Sequence, residues 1–255
     1  MLTAEQIENF KKDGVLILRD FFNAEEINAW RDEVYDFYRK PGDYEEWQEA
    51  INNYPGLDFR LKYEPSPENH AKMESLFNCF NSSIHWEGEN EMVPRSPQIN
   101  AEWLGASSPH LDYPIYPQKR LLANTVFYLH DVSSYDGPFM YWKGSHKNTW
   151  EYFRRRPSEY CTPRYLNQEQ TFEMLTRMME KDPVAFYAKA GDLLIWHPLL
   201  LHSPSINISY HPRLAFVGRW GAALGNNEPC FDFSGDMWQN WQFSTIEAPE
   251  MLNIA

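Results

Sequence analysis

Cysteine is scarce in this sequence: the 255 residues include only Cys79, Cys161 and Cys230, and no two of them form a CxxC pair. An odd number of widely spaced cysteines favours reduced thiols over a disulfide framework, and it therefore predicts a cytoplasmic setting. Positive charge is scarce as well, because 23 lysines and arginines stand against 36 acidic residues and leave a net charge of −13. That balance argues against nucleic acid and anionic membranes as partners.

Long hydrophobic runs are also lacking. The chain opens with Met1-Leu2-Thr3, without a basic region leading into an apolar stretch, and its longest apolar runs have the length of a strand. We therefore expect neither a signal peptide nor a transmembrane span. Hydrophobic residues make up 43% of the chain and charged residues 23%, which is typical of a globular protein, and the length suits one elaborated domain over residues 1–255.

The N-terminal segment carries clear local signals. Thr3 and the glutamine three residues later form a capping-box pattern at the start of a helix, and Gly14 can end that helix in the left-handed conformation. The apolar run 15–18 then predicts a short buried strand. Asn23 and the glutamate three residues later predict a second helix. Its apolar stripe would consist of Ile27, Trp30, Val34 and Phe37.

A region of polar residues, prolines and scattered aromatics extends from Pro41 to about Pro97, and its apolar residues show no sustained helical or strand periodicity. This composition predicts mixed loop and short helix. Residues 1–97 would then consist of N-terminal helices and a region that covers one face of the core. The middle region could shape a binding site or be a surface excursion with no chemical role, and the sequence leaves both interpretations open.

Short apolar runs separated by Pro, Gly, Asn and Ser dominate the second half, and this spacing predicts a β sandwich or barrel over residues 98–255. The predicted strands are 98–103, 123–129, 139–142, 184–187, 192–196, 199–202 and 213–220. A helical insertion near 150–182 interrupts them, and its clearest helical period covers residues 168–181.

The triplet His110-Leu111-Asp112 is the first candidate site. Alternate residues of an extended chain point to the same side, so an imidazole and a carboxylate could bind one metal ion. The triplet alone is weak evidence, since a hydrogen-bonded pair in a loop gives the same pattern. A third ligand would come from a distant strand, and His202, after a run of three leucines, is the best candidate. His197 competes, but it precedes a proline at an expected turn.

Arg213 follows His202 and opens the last predicted strand. A buried arginine needs a carboxylate partner because its charge is costly to bury. Either a bound dicarboxylate or an ion pair with an acidic residue of the chain would supply that partner. Arg219 has the same parity on the strand but lies about 20 Å further along, so the two arginines cannot share one carboxylate. We expect Arg219 to pair with an acidic residue near the barrel end, or else to meet substrate at the mouth.

Four ordered blocks of the chain resemble the phytanoyl-CoA dioxygenase family of non-haem Fe(II)- and 2-oxoglutarate-dependent oxygenases. The blocks are residues 2–22, 108–112, 136–147 and 191–213. The resemblance spans most of the chain, and four blocks in order are far more specific than any one of them. Lys143 stands where the family usually has proline, and Pro204 replaces a small residue, so substrate contacts cannot be carried over at these two positions.

The resemblance implies a mainly β fold with flanking helices, a double-stranded β-helix that forms a jelly-roll or cupin-like barrel. It implies that His110, Asp112 and His202 bind Fe(II), and that Arg213 binds the far carboxylate of the cosubstrate 2-oxoglutarate. Asn124 falls where the family often has a polar side chain touching 2-oxoglutarate, although a residue pairing with its own loop would look the same. The implied reaction uses O₂, releases succinate and CO₂, and hydroxylates or otherwise oxidises the substrate.

Two other functions stay open: a barrel that binds metal as a sensor without turnover, and a zinc hydrolase that uses the same ligands. Arg213 argues against the hydrolase, in which it would have no evident role. A CoA thioester would need a basic patch, and only residues 154–156, three arginines, offer one. We therefore favour a small free metabolite, including one of specialised metabolism, as the substrate. Substrate identity and oligomeric state are not determined by the sequence.

Overall fold

The computed structural model describes residues 2–53, 62–63, 67–98, 101, 105–112, 119–160, 181–223 and 231–243. The helices in these residues are α1 (Ala4–Asp13), α2 (Ala24–Phe37), α3 (Tyr44–Asn52), α4 (Pro67–Asn78), α5 (Ser145–Arg155) and α6 (Pro157–Tyr160). The strands are β1 (Val15–Leu18), β2 (Lys62–Tyr63), β3 (Trp86–Arg95), β4 (Lys119–Tyr128), β5 (Phe139–Tyr141), β6 (Val184–Phe186), β7 (Leu193–Trp196), β8 (His202–Pro204) and β9 (Arg213–Ala223).

The two N-terminal helices begin where the capping patterns predict. The Thr3 side chain accepts a hydrogen bond from the backbone of the third helical residue of α1, and Asn23 does the same for α2. Gly14 ends α1 with a φ of 79°, in the left-handed region. The prediction for Phe37 is wrong, because this side chain is 38% exposed while Tyr38 is only 3% exposed. Tyr38 takes the buried position since α3 brings a tryptophan ring within 5.3 Å of it.

Two antiparallel sheets form the centre of the structure. The larger sheet has the strand order β1-β7-β4-β9-β3-β2, and the smaller has the order β6-β5-β8. Residues 105–112 extend the smaller sheet through bridges from Ala106 to Ser205 and from His110 to His202. Side chains of both sheets pack together in one apolar layer that includes Tyr128 and Phe139. This arrangement is the predicted double-stranded β-helix, and the fold class is confirmed.

The large sheet has two different faces. On β9, Leu214, Phe216 and Trp220 pack against the aromatic core formed with the N-terminal helices. Ala215 and Val217 instead join the apolar layer between the two sheets. Because side chains alternate along a strand, the arginines at positions 213 and 219 share the parity of this inner face. The alternation of β9 therefore directs two cationic side chains towards the interior between the sheets.

Strand β3 corrects the interpretation of residues 41–97 as mixed loop and short helix. The short helices are present as α3 and α4, but β3 (Trp86–Arg95) pairs with β9 over its whole length. The sequence of β3, WEGENEMVPR, has little apolar alternation because its inner face carries charged residues instead. Strands β1, β2 and β3 also place residues from the first 97 in the large sheet, so the sheet strands are not confined to residues 98–255.

Most predicted strands of the second half are confirmed within one to four residues at their ends, with one correction. Residues 199–201 form a turn before β8 rather than a strand. Leu199 and Leu201 are apolar because the turn packs against Trp150 and Phe153 of α5. Of the predicted strand 98–103, Gln98 and Ala101 are not in a strand, and the other four residues lie outside the described residues.

The helical period at 168–180 also lies outside the described residues, although α5 and α6 occupy the start of the predicted insertion. Cys79 is buried and forms no disulfide within the described residues, its Sγ lying 3.5 Å from the carbonyl oxygen of Ser75. Cys161 and Cys230 fall outside the described ranges. No helix in the described part of the chain is long and apolar enough to cross a membrane.

Candidate metal centre

Three predicted ligands meet at one point of the smaller sheet. One potential ligand atom from each of His110, Asp112 and His202 lies within 4.8 Å of the others. The backbone produces this meeting: His110 donates to the carbonyl of His202 over 2.9 Å, and His202 donates back over 3.1 Å. Such a pair places the two imidazoles side by side, with ring centroids 4.4 Å apart. Within the described residues, no other group of His, Cys, Asp and Glu meets this criterion.

Both histidines are held with the same ring nitrogen free. Nδ1 of His110 lies 2.6 Å from the carbonyl oxygen of Ser108, and Nδ1 of His202 lies 3.0 Å from that of Leu200. A carbonyl oxygen can only accept, so each Nδ1 carries the proton and each Nε2 keeps its lone pair. Burial also lowers the pKa of His202 to about 4, which leaves the imidazole neutral near pH 7. Both rings are therefore prepared to donate to a metal ion.

Asp112 supplies the negative charge of this centre. One of its carboxylate oxygens, Oδ2, lies 3.3 Å from Nε2 of His202. Because His202 is neutral near pH 7, this short contact is not an ion pair, and a cation is the partner that both atoms would share. Two imidazole nitrogens and one carboxylate oxygen match the ligand set that binds Fe(II) on one face and leaves other coordination positions open. The residues present thus fit a non-haem iron ion.

Asn124 supports the carboxylate ligand, a role that the sequence did not indicate. Its side-chain Nδ2 donates to Oδ2 of Asp112 over 2.9 Å, and the residue is fully buried on β4. Its Oδ1 has no hydrogen-bond partner among the described residues. The predicted contact with 2-oxoglutarate stays a prediction, while the observed contact fixes the orientation of Asp112. A polar residue at an inner position of an apolar strand was the signal that could have suggested such a role.

Arg213 is buried between the two sheets with only 4% of its surface exposed. Its Nη1 donates to the carbonyl of Gly137 over 2.8 Å, and its guanidinium lies 5.7 Å from the ring centroid of Tyr128. Its Nε has no hydrogen-bond partner, and no ion pair with Arg213 occurs within the described ranges. Burial lowers the pKa of Arg213 to about 10, so the side chain remains cationic near pH 7. A buried cation without a carboxylate is expected to bind an anion.

Arg219 has a different environment on the same strand. It forms an ion pair with Glu91 of β3, with 3.2 Å between Nη1 and Oε2, and both side chains are largely buried. This contact agrees with the expected acidic partner. Arg219 also lies directly opposite Asn124 in the β4–β9 register, so the ion pair is next to the residue that supports the metal ligand. The sequence did not single out Glu91, although Glu87 and Glu91 have the same parity on β3.

The competing ligand His197 lies outside the metal centre. It is fully buried in the turn before β8, where its Nδ1 accepts from the backbone of Leu199 over 3.1 Å. Its ring packs 5.4 Å from that of His146, and burial lowers the pKa of His197 well below the usual value. Lys143, a departure from the family pattern, is half-exposed and forms an ion pair with Asp13 of α1, with 3.0 Å between Nζ and Oδ2.

Comparison with known sequences gives one family. The sequence profile of the family described as Phytanoyl-CoA dioxygenase (PhyH) matches residues 10–215. Among curated protein sequences, none matches the chain at a significant level.

Comparison with solved structures gives a consistent set of similar folds. HygX from Streptomyces hygroscopicus, solved with nickel and 2-oxoglutarate, is 17% identical over 87% of each chain, with a TM-score of 0.53. SnoK, a non-haem α-ketoglutarate-dependent carbocyclase from nogalamycin biosynthesis, is 14% identical over 92% of this chain and 94% of its own, with a TM-score of 0.57. EctD from S. alaskensis with bound Fe is 17% identical over 95% and 84% of the two chains, with a TM-score of 0.55. Likeness at these identities establishes the shared fold.

Proposed function

The chain belongs to the phytanoyl-CoA dioxygenase family, and from this membership we propose that it is an Fe(II)- and 2-oxoglutarate-dependent oxygenase acting on a small-molecule metabolite. The reaction would hydroxylate or otherwise oxidise the substrate and release succinate and CO₂. One observation carries the proposal: a two-histidine, one-carboxylate cluster occurs in the same barrel as a buried arginine that has no carboxylate partner among the described residues.

The protein residues would hold the iron from one side. His110 and His202 would donate through Nε2, and the charge of Asp112 would offset part of the charge of the metal ion. Asn124 would keep the carboxylate of Asp112 in one orientation through its hydrogen bond. Iron bound in this way supplies, together with 2-oxoglutarate and O₂, the oxidising chemistry that removes hydrogen from an unactivated carbon.

Arg213 would bind the carboxylate of 2-oxoglutarate that lies far from the iron. Its unpaired Nε and the apolar side chains around it favour a charge-assisted bond to a carboxylate in a dry environment. The ring of Tyr128 beside the guanidinium limits the positions that the cosubstrate can take. The arginine therefore distinguishes this proposal from a zinc hydrolase, in which a dicarboxylate has no role, and from a sensor that binds no cosubstrate.

The substrate is proposed to be a small free metabolite and not an acyl-CoA. The basic run at 154–156 is exposed at the end of α5, where Arg154 and Arg155 lie beside Glu151 rather than lining the inner face of the sheets. HygX, which shares the fold, has been solved with hygromycin B bound, so the same architecture accommodates a small natural product. A cytoplasmic setting and one oxygenase domain over residues 1–255 remain predictions.

The test is an anaerobic titration with Fe(II) and 2-oxoglutarate, followed by measurement of succinate after O₂ is admitted. We expect one Fe(II) per chain and slow formation of succinate, which a screen of metabolites would accelerate. Asp112→Ala should abolish tight metal binding, because one of three protein ligands and its charge are lost. Asp36→Ala, on the exposed face of α2, is the matched control and should bind metal normally.

The alternatives give different results in the same experiment. Metal binding without any affinity for 2-oxoglutarate and without succinate would replace the oxygenase with a metal-binding sensor. Zinc-dependent hydrolysis of a test ester, with no response to 2-oxoglutarate, would indicate the hydrolase.

A further inference from the structure

Two adjacent strands of the large sheet, β3 and β9, bring a second arginine to Arg213. In the antiparallel register of β3 and β9, Arg95 is directly opposite Arg213. Directly opposed residues point to the same face of a sheet, with Cβ atoms about 5 Å apart. The positive charge of Arg95 accordingly acts on Arg213 and disfavours its protonated form. Two arginines therefore occupy directly opposed positions on the inner face, close enough for the charge of one to act on the other.

Neither arginine has a counter-charge within the described ranges. Arg213 bonds only the neutral carbonyl of Gly137, and its Nε is unpaired. Arg95 is partly buried, and burial lowers the pKa of its side chain, with no ion pair to oppose this effect. Asp136, the acidic residue of the turn before β5, bonds the backbone and hydroxyl of Ser133 instead. Within the part of the chain that the structure describes, the pair is thus a concentration of positive charge without a carboxylate partner.

Such a pair costs stability unless an anion completes it. Like charges directly opposite each other in a sheet destabilise the pairing, and partial burial removes the water that would screen them. Nearer the metal centre, the same strands β3 and β9 pair Glu91 with Arg219, so a cation on β9 can be balanced by a carboxylate on β3. Arginine presents a planar fork of donors that matches a carboxylate, and two arginines can bind both oxygens at once.

We infer that Arg95 is a second cosubstrate-binding residue, which together with Arg213 forms a two-arginine clamp for the far carboxylate of a dicarboxylate. The inference rests on the proposed function, because it assigns the occupant of the clamp as 2-oxoglutarate. It adds a residue that lies well before the metal motif in sequence, on a strand that the sequence did not predict. The clamp would select a dicarboxylate over a 2-oxo acid that has no second carboxylate.

The experiment compares ligand-free stability with affinity in the same variants. Arg95→Met, Arg95→Lys and the control Arg219→Met are prepared as full chains. Melting temperatures are measured on the metal-free protein. Dissociation constants are measured by calorimetry on the Zn(II)-loaded protein, for 2-oxoglutarate and for 2-oxopentanoate, which lacks the far carboxylate. Arg219→Met removes an inner-face arginine that already has a carboxylate partner.

If the clamp exists, Arg95→Met raises the stability of the metal-free protein and lowers its affinity for 2-oxoglutarate. Arg95→Met should raise the melting temperature of the metal-free protein by about 2 °C, because the like-charge contact is removed. It should weaken 2-oxoglutarate binding about tenfold, the effect of losing one charge-assisted hydrogen bond, and leave 2-oxopentanoate unchanged. Arg95→Lys should recover part of the affinity. The control should lose stability and keep its affinity for 2-oxoglutarate.

Other outcomes would overturn the inference. If Arg95→Met lowers the melting temperature and binds 2-oxoglutarate as the unmodified protein does, Arg95 is structural and the clamp is refuted. Equal weakening of both 2-oxo acids would also refute it, since the far carboxylate would then not be involved. If the unmodified protein binds no 2-oxoglutarate, the proposed function fails, and glutarate is then used as the probe. Glutarate binding that is lost in Arg95→Met would still support a two-arginine clamp. No glutarate binding by the unmodified protein would refute the clamp as well.

Discussion

The two ends of the inner face of β9 carry the same residue type in opposite electrostatic states. Near the metal centre, Arg219 forms an ion pair with Glu91. At the other end, Arg213 faces Arg95 and has no carboxylate within the described part of the chain. Strand β3 makes the difference, because it offers a glutamate at one end and an arginine at the other. The charge of Arg219 is balanced within the protein, whereas that of Arg213 has no balancing carboxylate in the described part of the chain.

This difference indicates how to separate structural from functional arginines in one strand. Both side chains are inward-facing and largely buried, so neither burial nor parity distinguishes them. The distinguishing property is the charge that the adjacent strand β3 brings to each arginine: the carboxylate of Glu91 bonds Arg219, whereas Arg95 is opposite Arg213. A cation that is balanced within the chain contributes to stability, whereas an unbalanced one lowers the stability of the ligand-free protein and contributes to binding.

The largest expected effect is on the stability of the protein when the ion pair between Arg219 and Glu91 is broken. Arg219→Leu should lower the free energy of unfolding by about 3 kcal/mol, because it leaves the carboxylate of Glu91 buried without its partner. Denaturant unfolding of the metal-free protein measures this change. The double variant Arg219→Leu/Glu91→Leu should recover most of the loss, and a double variant no more stable than the single one would show that the ion pair is not the cause.

The next largest effect is on the affinity for 2-oxoglutarate when Arg213 is replaced. Arg213→Leu should weaken 2-oxoglutarate binding by at least about tenfold, since charge-assisted hydrogen bonds to its far carboxylate are lost. Arg219→Leu should leave that affinity nearly unchanged. A titration of 2-oxoglutarate against both variants with metal saturating tests the contrast. The reverse pattern would place the cosubstrate at the Arg219 end of the strand.

The smallest effect concerns the residue opposite Arg219. Asn124→Ala should weaken metal affinity by about tenfold, because Asp112 loses the hydrogen bond that orients its carboxylate. Competition with a chromogenic chelator measures this affinity. Asn90→Ala is the matched control, since Asn90 is also a buried asparagine but its side chain lies on the other face of the large sheet, near Gly218. Equal losses in both variants would mean that general destabilisation weakens the site.

Local signals in the sequence predicted the features that local interactions determine. Each helix cap needs only residues within one turn of the chain, so Thr3 and Asn23 could be identified directly. The pairing of His110 with Asp112 needs only the alternation of an extended segment. The distant His202 was the best candidate because it follows a run of three leucines, and the family resemblance pointed to the same residue. The helix caps are confirmed and the three side chains lie together, because the relevant physics acts over a few residues or because the pattern of blocks was specific. Metal binding by these side chains stays a prediction.

The features that the sequence did not predict depend on contacts between distant segments. Strand β3 looked like loop because its glutamate at 91 is stabilised by an arginine 128 residues later. Tyr38 is buried because a later helix packs against it, and the leucines before β8 are apolar because they contact α5 rather than because they form a strand. The contact between Asn124 and Asp112 likewise requires β4 of the large sheet to lie near the segment 105–112 beside the smaller sheet.

The position of β1 has a consequence for how the chain folds. β1 lies at the edge of the large sheet and pairs with β7, and Arg19 just after it binds Asp192, 173 residues later. During synthesis, β1 therefore leaves the ribosome long before its partner strand exists, and only α1 and α2 are near enough to cover it. Contacts of such large sequence separation form slowly. We expect closure of the large sheet to be a late event in folding. Until then the nascent chain presents an uncovered apolar edge, and this is the stage at which the chain is most prone to aggregation.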